Sequence, residues 1–343
     1  MARKRTKSGK IRLTEVAKLA GVSHITASRF FRSPEALSLD KRERVESAAK
    51  ELGYVPNLAA RALASQRTEV IGVLIPSLTN NVFSDVLRGI YDASEGSRYS
   101  IQFVNTRYSI LQEEKLLRLF QAQMPAGLIV TGINQTPESR SVMEAMNCPI
   151  VQIMELGPSP IDMMVGFSHY DASMAAITHL IERGYRRIGF LGARMDPRVQ
   201  RRLEGYRDAM KAAALFDPRL ILTTPVPTAV TRGGTLFADL LASAPDIDAV
   251  FCVNDDLALG VLFECQRRGI PVPDKMAIVG FNDLEFMAST VPPLTSVRTN
   301  RYEMGKSAVT MVTAAIDGQR PSAPVVDLGF QLMVRESSST RST

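Results

Sequence analysis

The sequence predicts a small all-α head of helix-turn-helix type, joined to a larger α/β body of two lobes built on parallel sheets. Three observations support this fold class. The length of 343 residues exceeds one typical domain of about 150 residues. Positive charge is concentrated at the start, because residues 1–68 contain 15 Lys and Arg against 6 Asp and Glu, and the remainder contains 26 against 29. Beyond residue 69, continuous apolar runs alternate with amphipathic stretches, which is typical of parallel sheets covered by helices.

The composition favours a globular chain in a reducing compartment. Hydrophobic residues make up 45% of the sequence and the mean hydropathy is zero, which excludes a disordered chain, and no apolar run approaches the ~20 residues of a membrane span. Residues 1–30 lack the apolar core and cleavage site of a secretory signal, so we expect a cytoplasmic protein with no membrane contact. The three cysteines, Cys148, Cys252 and Cys265, show no spacing typical of a disulfide framework or a zinc site. We therefore expect neither a metal nor a cofactor.

The basic head contains the start and stop signals of three short helices. Apolar residues recur at helical spacing from Leu13 to Ala20, and Gly21 follows as a left-handed stop. Ser23 is a good N-cap for a second helix over residues 24–31. A third helix is expected from Ser38 to Gly53. Two helices that meet across a turn of about three residues predict a helix-turn-helix unit.

The second helix is the one expected to enter the DNA major groove, with its first residues facing base edges. Arg29 suits a bidentate contact with guanine, and Ile25 or the Thr26 methyl suits a thymine methyl. A Gly-Val-Ser turn between short helices also occurs in proteins that do not bind DNA, so the positive charge of the head is part of the inference. The candidate base-contacting residues are His24, Ile25, Thr26, Ser28 and Arg29.

Five ordered blocks of the head resemble the LacI/GalR family of repressors. They are Glu15-Val16-Ala17, Ala20-Gly21-Val22-Ser23, Thr26-Ala27-Ser28-Arg29, Gly53-Tyr54-Val55-Pro56-Asn57, and Ala60 with Leu63-Ala64. The resemblance implies that residues 57–64 form a hinge helix that pairs with its partner's helix in the minor groove, with Asn57, Ala60 and Leu63 on the DNA. Leu63 is then the apolar wedge that kinks the duplex, although it could instead pack against the body. Arg12 stands where the family has a capping Thr, so we expect a less well capped first helix.

The body resembles the sugar-binding part of the same family, which is periplasmic-binding-protein-like. Family-like stretches include Gly184-Tyr185-Arg186-Arg187-Ile188, Gly205-Tyr206 and Val253-Asn254-Asp255. The expected division is a head over residues 1–56, a hinge helix and linker over 57–69, and an effector-binding body over 70–343. Its N-lobe is expected at about 70–167 plus 298–325, and its C-lobe at about 168–297 plus 326–343.

Ligands of parallel sheets lie beyond the carboxyl ends of the strands, so the residues there are candidates for effector binding. Ser77, Glu155 and Asn282 follow such strand ends. By resemblance, Arg202 is the effector-contacting arginine, and Asn254 and Asp255 are effector or lobe-closing residues. Arg202 suits a carboxylate or two vicinal hydroxyls, whereas the neighbouring Arg201 adds charge or faces solvent.

Several stretches of the body are similar to the branch of the family that represses gluconate operons, including Leu191-Gly192-Ala193-Arg194 and Phe263-Glu264-Cys265-Gln266-Arg267. This likeness implies gluconate or a related sugar acid as effector. Asn282 agrees with it, because relatives carry an Asp at this point and its loss removes repulsion of an anion. The implied partners are a pseudo-palindromic operator in double-stranded DNA, the effector, and a second copy of the chain in a homodimer.

Other classes of protein share some of these features. An activator, or a regulator of the same type that responds to a different sugar, stays open as an alternative. An exported sugar receptor would have the same body, but it would carry a secretory signal peptide and would lack the basic head. An enzyme is disfavoured: Met304-Gly305-Lys306-Ser307 lacks the first glycine of a phosphate loop, since Asn300 occupies that place, and the three histidines are too dispersed for a zinc motif.

Overall fold

The computed structural model describes residues 11–31, 33–55 and 68–339. The chain divides into two compact units, Met1–Thr68 and Glu69–Thr343. The predicted fold class, a helical head and an α/β body with two mainly parallel sheets, is confirmed. The predicted hinge helix, over residues 57–64, lies outside the described residues.

The head contains three helices, α1 (Leu13–Ala20), α2 (His24–Phe30) and α3 (Leu39–Leu52). Gly21 ends α1 with φ 63°, and the Ser23 hydroxyl caps α2 by accepting the Thr26 amide at 3.1 Å. Arg12 provides no side-chain cap for α1, as expected, but its amide donates to the Glu15 carboxylate at 2.9 Å. The buried core of the head consists of Val16, Ala17, Ala20, Ala27, Val45 and Ala48.

One side chain joins α1 to α3. The Arg44 guanidinium donates to the carbonyl of Ala20 from Nε at 3.0 Å and from Nη2 at 2.7 Å. Nη2 also donates to the Gly21 carbonyl at 2.8 Å. These carbonyls have no partner within their own helix, because the last turn of a helix leaves its acceptors free. Arg44 therefore satisfies the carbonyl groups at the C-terminal end of α1, where the turn to α2 begins.

The first lobe of the body is a six-stranded parallel sheet in the order β11-β5-β4-β3-β1-β2. Continuous apolar sequences such as that of β1 form its buried strands, as expected for a sheet covered on both faces. Its elements are β1 (Val70–Ile75), α4 (Val82–Ser94), β2 (Ser100–Asn105), α5 (Ile110–Gln123), β3 (Gly127–Thr131), α6 (Pro137–Glu144), β4 (Ile150–Ile153), β5 (Met163–Gly166), α11 (Arg301–Ile316) and β11 (Val325–Asp327).

The second lobe is a six-stranded sheet in the order β12-β10-β9-β8-β6-β7, in which β12 runs antiparallel to β10. Its elements are α7 (His169–Glu182), β6 (Ile188–Ala193), α8 (Pro197–Ala212), β7 (Ile221–Thr224), α9 (Val230–Ser243), β8 (Ala249–Cys252), α10 (Asp255–Arg268), β9 (Ala277–Asn282), β10 (Thr295–Thr299) and β12 (Phe330–Met333). Residues 304–307, which partly resemble a phosphate loop, lie inside α11.

The chain passes between the two sheets after β5, after β10 and after β11. Each of these strands ends at the carboxyl edge of its sheet, because each runs parallel to its neighbour. The crossings therefore lie at the edge where a ligand of such a sheet is expected. Among the helices that the structure describes, none is long and apolar enough to span a membrane.

Helices α9 and α10 approach each other closely at a glycine. A Cβ placed on Gly233 would lie 2.2 Å from the Leu257 carbonyl oxygen and 2.7 Å from the Leu257 Cα. The neighbouring Gly234 has more room, because its nearest contact would be the Gly260 carbonyl oxygen at 3.3 Å. The backbones of the two helices are thus in direct contact at position 233, which leaves no space for a side chain.

Candidate functional sites

Helix α2 presents the side chains that the sequence predicts for DNA contact. His24, Ile25 and Arg29 are exposed, and Ile25 keeps 68% of its surface accessible. They lie on one face, because positions i, i+1 and i+5 are close around a helix of 3.6 residues per turn. The opposite face carries the buried Ala27. An isoleucine this exposed at a helix N-terminus contributes little to the head core and is available to a partner.

Two predicted residues of α2 are less free. The Thr26 hydroxyl is hydrogen-bonded to the Ser23 hydroxyl at 2.8 Å, so it contributes to the cap, and Ser28 is half-buried. The predicted hinge residues Asn57, Ala60 and Leu63 lie outside the described residues.

In the body, a cleft lies at the carboxyl ends of the strands. It contains three of the predicted effector residues, Arg202, Asn254 and Asn282. Its charged groups are three guanidinium groups and one carboxylate. The lining residues are Asn80, Val82, Phe83, Tyr108, Met154, Ala193, Arg194, Asp196, Arg198, Val199, Arg202, Thr228, Asn254 and Asn282.

Arg202 is held rigidly at the base of this cleft. Its Nε donates to His169 Nδ1 at 3.2 Å, Nη1 donates to the Val253 carbonyl, and the guanidinium lies 3.7 Å from the centre of the Phe281 ring. Nη2 makes no hydrogen bond among the described residues, which leaves it for an acceptor in the cleft. Burial, together with the charge of Arg198, lowers the pKa of Arg202 to about 9. The charged form of the guanidinium is therefore destabilised at this position, and a nearby anion would stabilise it.

Arg198 lies one helical turn before Arg202. The Asp196 carboxylate caps α8 by accepting the amides of Arg198 and Val199 at 3.1 and 3.3 Å, and it pairs with the Arg198 guanidinium at 3.4 Å. Burial lowers the pKa of Arg198, but the charge of Asp196 and its hydrogen bond, together with Tyr108 and Glu155, outweigh burial and raise the pKa overall. Asp196 thus neutralises one of the three guanidinium groups.

The third guanidinium, that of Arg194, is stacked on an aromatic ring from the other lobe. It lies 3.9 Å from the centre of the Tyr108 ring. The Tyr108 hydroxyl accepts a hydrogen bond from the Asn80 side-chain amide at 3.1 Å. Arg194 belongs to the second lobe and Tyr108 to the first, so this cation–π contact lies across the cleft.

Glu155 is buried beside the cleft. Its Oε1 lies 3.5 Å from Arg201 Nε, and its Oε2 has no hydrogen-bond partner among the described residues. Burial raises the pKa of Glu155, against the opposing charges of Arg198 and Arg201. Arg201 is half-exposed and also pairs with Glu204. The half-exposed Arg201 guanidinium is therefore paired with two carboxylates, whereas the buried Arg202 lines the cleft.

The remaining predicted residues differ in how their polar atoms are used. Asn254 caps α10 through the Leu257 amide at 3.1 Å, and Asn282 adopts φ 112° at the cleft. Asp255 is fully buried, and its two oxygens accept the Ser296 hydroxyl at 2.6 Å and the Leu284 amide at 2.7 Å.

The Ser77 hydroxyl accepts the amides of Thr79 and Asn80 at 3.2 and 3.1 Å. Asp255 and Ser77 therefore shape the loops around the cleft, and a direct contact of either with an effector stays a prediction.

Several cleft residues were not among the predicted effector residues. Arg198 could have been found, because it precedes Arg202 by four residues and so shares its helix face. Tyr108, which lines the cleft, and His169, which does not line it but contacts Arg202, have no such helical spacing. Their importance comes from contacts with Arg194 and Arg202 that join distant parts of the chain.

Comparison with known proteins agrees with both units. Residues 12–57 match the model of bacterial regulatory proteins of the lacI family, and residues 177–338 match that of the periplasmic binding protein-like domain. The chain is 43% identical over 331 residues, 96% of each chain, to the HTH-type transcriptional regulator GntR of Pseudomonas aeruginosa.

Two solved structures are also similar. The transcription regulator GntR from Chromobacterium violaceum is 42% identical, with 78% of this chain and 99% of that one covered and a TM-score of 0.76. A LacI-family transcriptional regulator from Silicibacter pomeroyi is 32% identical, with 96% and 99% covered and a TM-score of 0.88.

Proposed function

Because this chain belongs to the lacI family of bacterial regulatory proteins, we propose that it represses genes of sugar-acid uptake or catabolism and leaves its operator when a sugar acid of the gluconate type binds. The observation that carries the choice of effector is the charge of the cleft. Arg194, Arg198 and Arg202 line it together with one carboxylate, that of Asp196. The buried carboxyls of Glu155 and Asp255 also act on Arg202, but burial raises the pKa of both and so favours their neutral forms. A neutral sugar would thus leave an excess of positive charge along the cleft lining, whereas a carboxylate would offset it.

The hydrogen-bonding groups of the cleft suit the rest of such a molecule. Asn80, Asn254 and Asn282 offer amides, and Thr228 offers a hydroxyl. These groups donate to and accept from hydroxyls, as a polyhydroxylated chain requires. The free Nη2 of Arg202 is the donor that we assign to the carboxylate, because hydrogen bonds between charged groups are about twice as strong as neutral ones.

Isothermal titration tests this assignment. The ligands are gluconate, 2-ketogluconate, 6-phosphogluconate and glucose, and the proteins are the wild-type chain, Arg202→Ala and Arg207→Ala. We expect one of the sugar acids to bind and glucose to bind weakly or not at all. Arg202→Ala should abolish binding, whereas Arg207→Ala, which removes an exposed guanidinium of the same helix outside the cleft lining, should weaken it only slightly. Binding of glucose alone, or full binding by Arg202→Ala, would contradict the proposal.

The head supplies the proposed contact with DNA. We assign His24, Ile25 and Arg29 to base edges in the major groove, since they form the exposed face of α2, and Leu63 to the minor groove as a wedge. Leu63→Ala should weaken operator binding in a fluorescence anisotropy titration while leaving effector binding intact. Unchanged operator affinity would mean that Leu63 packs elsewhere.

We propose that the chain acts as a homodimer in the cytoplasm, where its operator is, because a two-fold symmetric dimer matches a pseudo-palindromic site. An apolar surface at the edge of the first lobe supports self-association. The edge strand β2 has no fully buried residue, and Tyr91, 66% exposed, stacks on Phe103 with ring centres 6.0 Å apart. Sedimentation velocity of the wild-type chain and of Tyr91→Lys tests this proposal. We expect a dimer that is weakened by the lysine.

A further inference from the structure

His169 connects the effector-binding arginine to the other lobe. It is the first residue of α7, directly after the crossing that follows β5, and only 1% of its surface is exposed. Its Nδ1 accepts from Arg202 Nε at 3.2 Å, and its Nε2 lies 2.9 Å from the Met154 carbonyl oxygen. Met154 follows β4 of the first lobe and lines the cleft. One imidazole thus joins Arg202 in the second lobe to a strand end in the first.

The two contacts determine the protonation state of the ring. Arg202 Nε always carries a hydrogen, so Nδ1 must be the acceptor. The Met154 carbonyl can only accept, so Nε2 must carry the hydrogen. His169 is therefore the neutral Nε2–H tautomer. Burial, followed by the charges of Arg202 and Arg198, lowers its pKa well below the ordinary value, which agrees with this assignment.

Aromatic rings fix the plane of the imidazole and of the guanidinium together. The ring centres of Phe167 and His169 are 4.3 Å apart, and those of His169 and Phe281 are 5.8 Å apart with planes inclined by 27°. Phe281 also lies under the Arg202 guanidinium. The imidazole therefore has little rotational freedom, and it occupies Nε of Arg202, whereas Nη2 makes no hydrogen bond among the described residues.

We propose that His169 is a positioning residue with two separable roles: through Nδ1 it orients Arg202 for the carboxylate of the effector, and through Nε2 it transmits binding to the first lobe. This inference rests on the proposed function for its ligand, but the contact that it describes does not. Binding of an anion to Arg202 changes the hydrogen bond between Arg202 Nε and Nδ1. Because the ring is rigidly held, this change is transmitted to the hydrogen bond between Nε2 and the Met154 carbonyl at the edge of the cleft.

Single substitutions separate the two roles. Asn places an amide oxygen near the position of Nδ1, so His169→Asn keeps the acceptor for Arg202 and loses the donor to Met154. Gln places an amide nitrogen near the position of Nε2, so His169→Gln keeps the donor and loses the acceptor. His179→Ala is the matched control, because His179 is on the same helix and also buried, but its Nε2 contacts the Ser338 hydroxyl at 2.8 Å, not the cleft.

Two quantities are measured for each variant with gluconate as the sugar acid: its dissociation constant by isothermal titration, and the ratio of operator affinities with and without saturating gluconate. His169→Gln should bind the sugar acid about tenfold more weakly or worse, the usual effect of losing a hydrogen bond to a charged group. His169→Asn should bind within a few-fold of wild type, yet release the operator less completely. His179→Ala should match wild type in both quantities.

The proposal is overturned if His169→Gln retains wild-type affinity, or if His169→Asn releases the operator as completely as wild type does. It is also overturned if His179→Ala reproduces either defect, since the effects would then reflect a loss of packing in α7.

A spectroscopic measurement tests the contact without any ligand. The chain has three histidines, so ¹⁵N-histidine labelling gives few signals, and His169→Asn identifies the one of interest. We expect the Nε2–H tautomer at neutral pH, with an Nδ1 signal that shifts in Arg202→Lys. An Nδ1–H tautomer or a charged ring would overturn the inference. If the wild-type chain binds no sugar acid, the proposed function fails, and the tautomer alone decides the role of His169 toward Arg202.

Discussion

Replacing Gly233 by alanine should destabilise the body, although alanine is the better helix former. The added Cβ would lie 2.2 Å from the Leu257 carbonyl oxygen, whereas carbon–oxygen contacts are normally about 3.3 Å or longer. Helices α9 and α10 must therefore separate by about 1 Å, and a backbone carbonyl in a helix cannot rotate away as a side chain can. Overpacking of this kind costs about 3 kcal/mol, at the upper end of its usual range, and alanine recovers about 1 kcal/mol of helix propensity. We expect a net loss of about 2 kcal/mol.

The adjacent Gly234 provides the control. Its Cβ would meet the Gly260 carbonyl oxygen at 3.3 Å and Glu264 Cβ at 3.8 Å, so Gly234→Ala gains the same propensity with little steric cost. We expect its stability to lie between that of wild type and about 1 kcal/mol above it.

Urea unfolding followed by circular dichroism compares the three chains at one protomer concentration, because dimerisation would otherwise contribute to apparent stability. In thermal unfolding of the same chains, a loss of about 2 kcal/mol in a domain of this size corresponds to a Tm lower by roughly 4 to 8 °C. Equal stabilities of Gly233→Ala and Gly234→Ala would refute the argument, because the two variants differ only in what the new methyl group meets.

Three further predictions concern other parts of the chain. Burial raises the pKa of Asp255 to about 7, so the folded state binds this proton more tightly than the unfolded state. The free energy of unfolding of wild type relative to Asp255→Asn should therefore fall by roughly 2 kcal/mol from about pH 5.5 to 8. A difference between the two chains that stays constant across this range in urea unfolding would contradict this. Arg44→Ala removes the donors to Ala20 and Gly21 and should speed amide hydrogen exchange in the head by about tenfold; exchange at the wild-type rate in Arg44→Lys would show that charge alone matters and would contradict a role for the guanidinium hydrogen bonds. Arg29→Ala should cost about 1 to 3 kcal/mol of operator binding and relax specificity at one base pair, whereas an equal loss on all DNA sequences would indicate a phosphate contact.

The head was largely predictable from the sequence because its boundaries are set by local chemistry. Ser23 caps α2, and Gly21 and Gly53 end their helices with φ 63°. Each of these residues acts through its immediate neighbours, so spacing alone was sufficient. Ser38, where the third helix is predicted to begin, is the N-cap residue of α3 but makes no capping hydrogen bond.

In the body, apolar runs indicate strands such as β1 and β9, but no such run marks β11. β11 has three residues and none of them is buried, so its membership of the first sheet depends on pairing with β5, far away in the chain. Helix α8 begins at Pro197 because the Asp196 side chain caps it, but its charged sequence gives only a weak apolar periodicity from which to predict a helix.

The part of the site that lies at the carboxyl ends of strands was predictable from the sequence. That rule and the family resemblance together pointed to Arg202, Asn254 and Asn282, which the structure brings to one cleft. Contacts between the lobes, such as that between Arg194 and Tyr108, require a three-dimensional arrangement that no spacing reports.

The late arrival of β11 also has a consequence for synthesis of the chain. β11 pairs with β5 in the register Val325↔Met164, so the first sheet acquires its outermost strand only after nearly all of the second sheet has been made. Until then β5 is an open edge that other chains can pair with, and pairing over so long a separation is intrinsically slow. A chain that stops near residue 320 would lack both β11 and β12, and both lobes, not only the second, would be left with an unprotected edge.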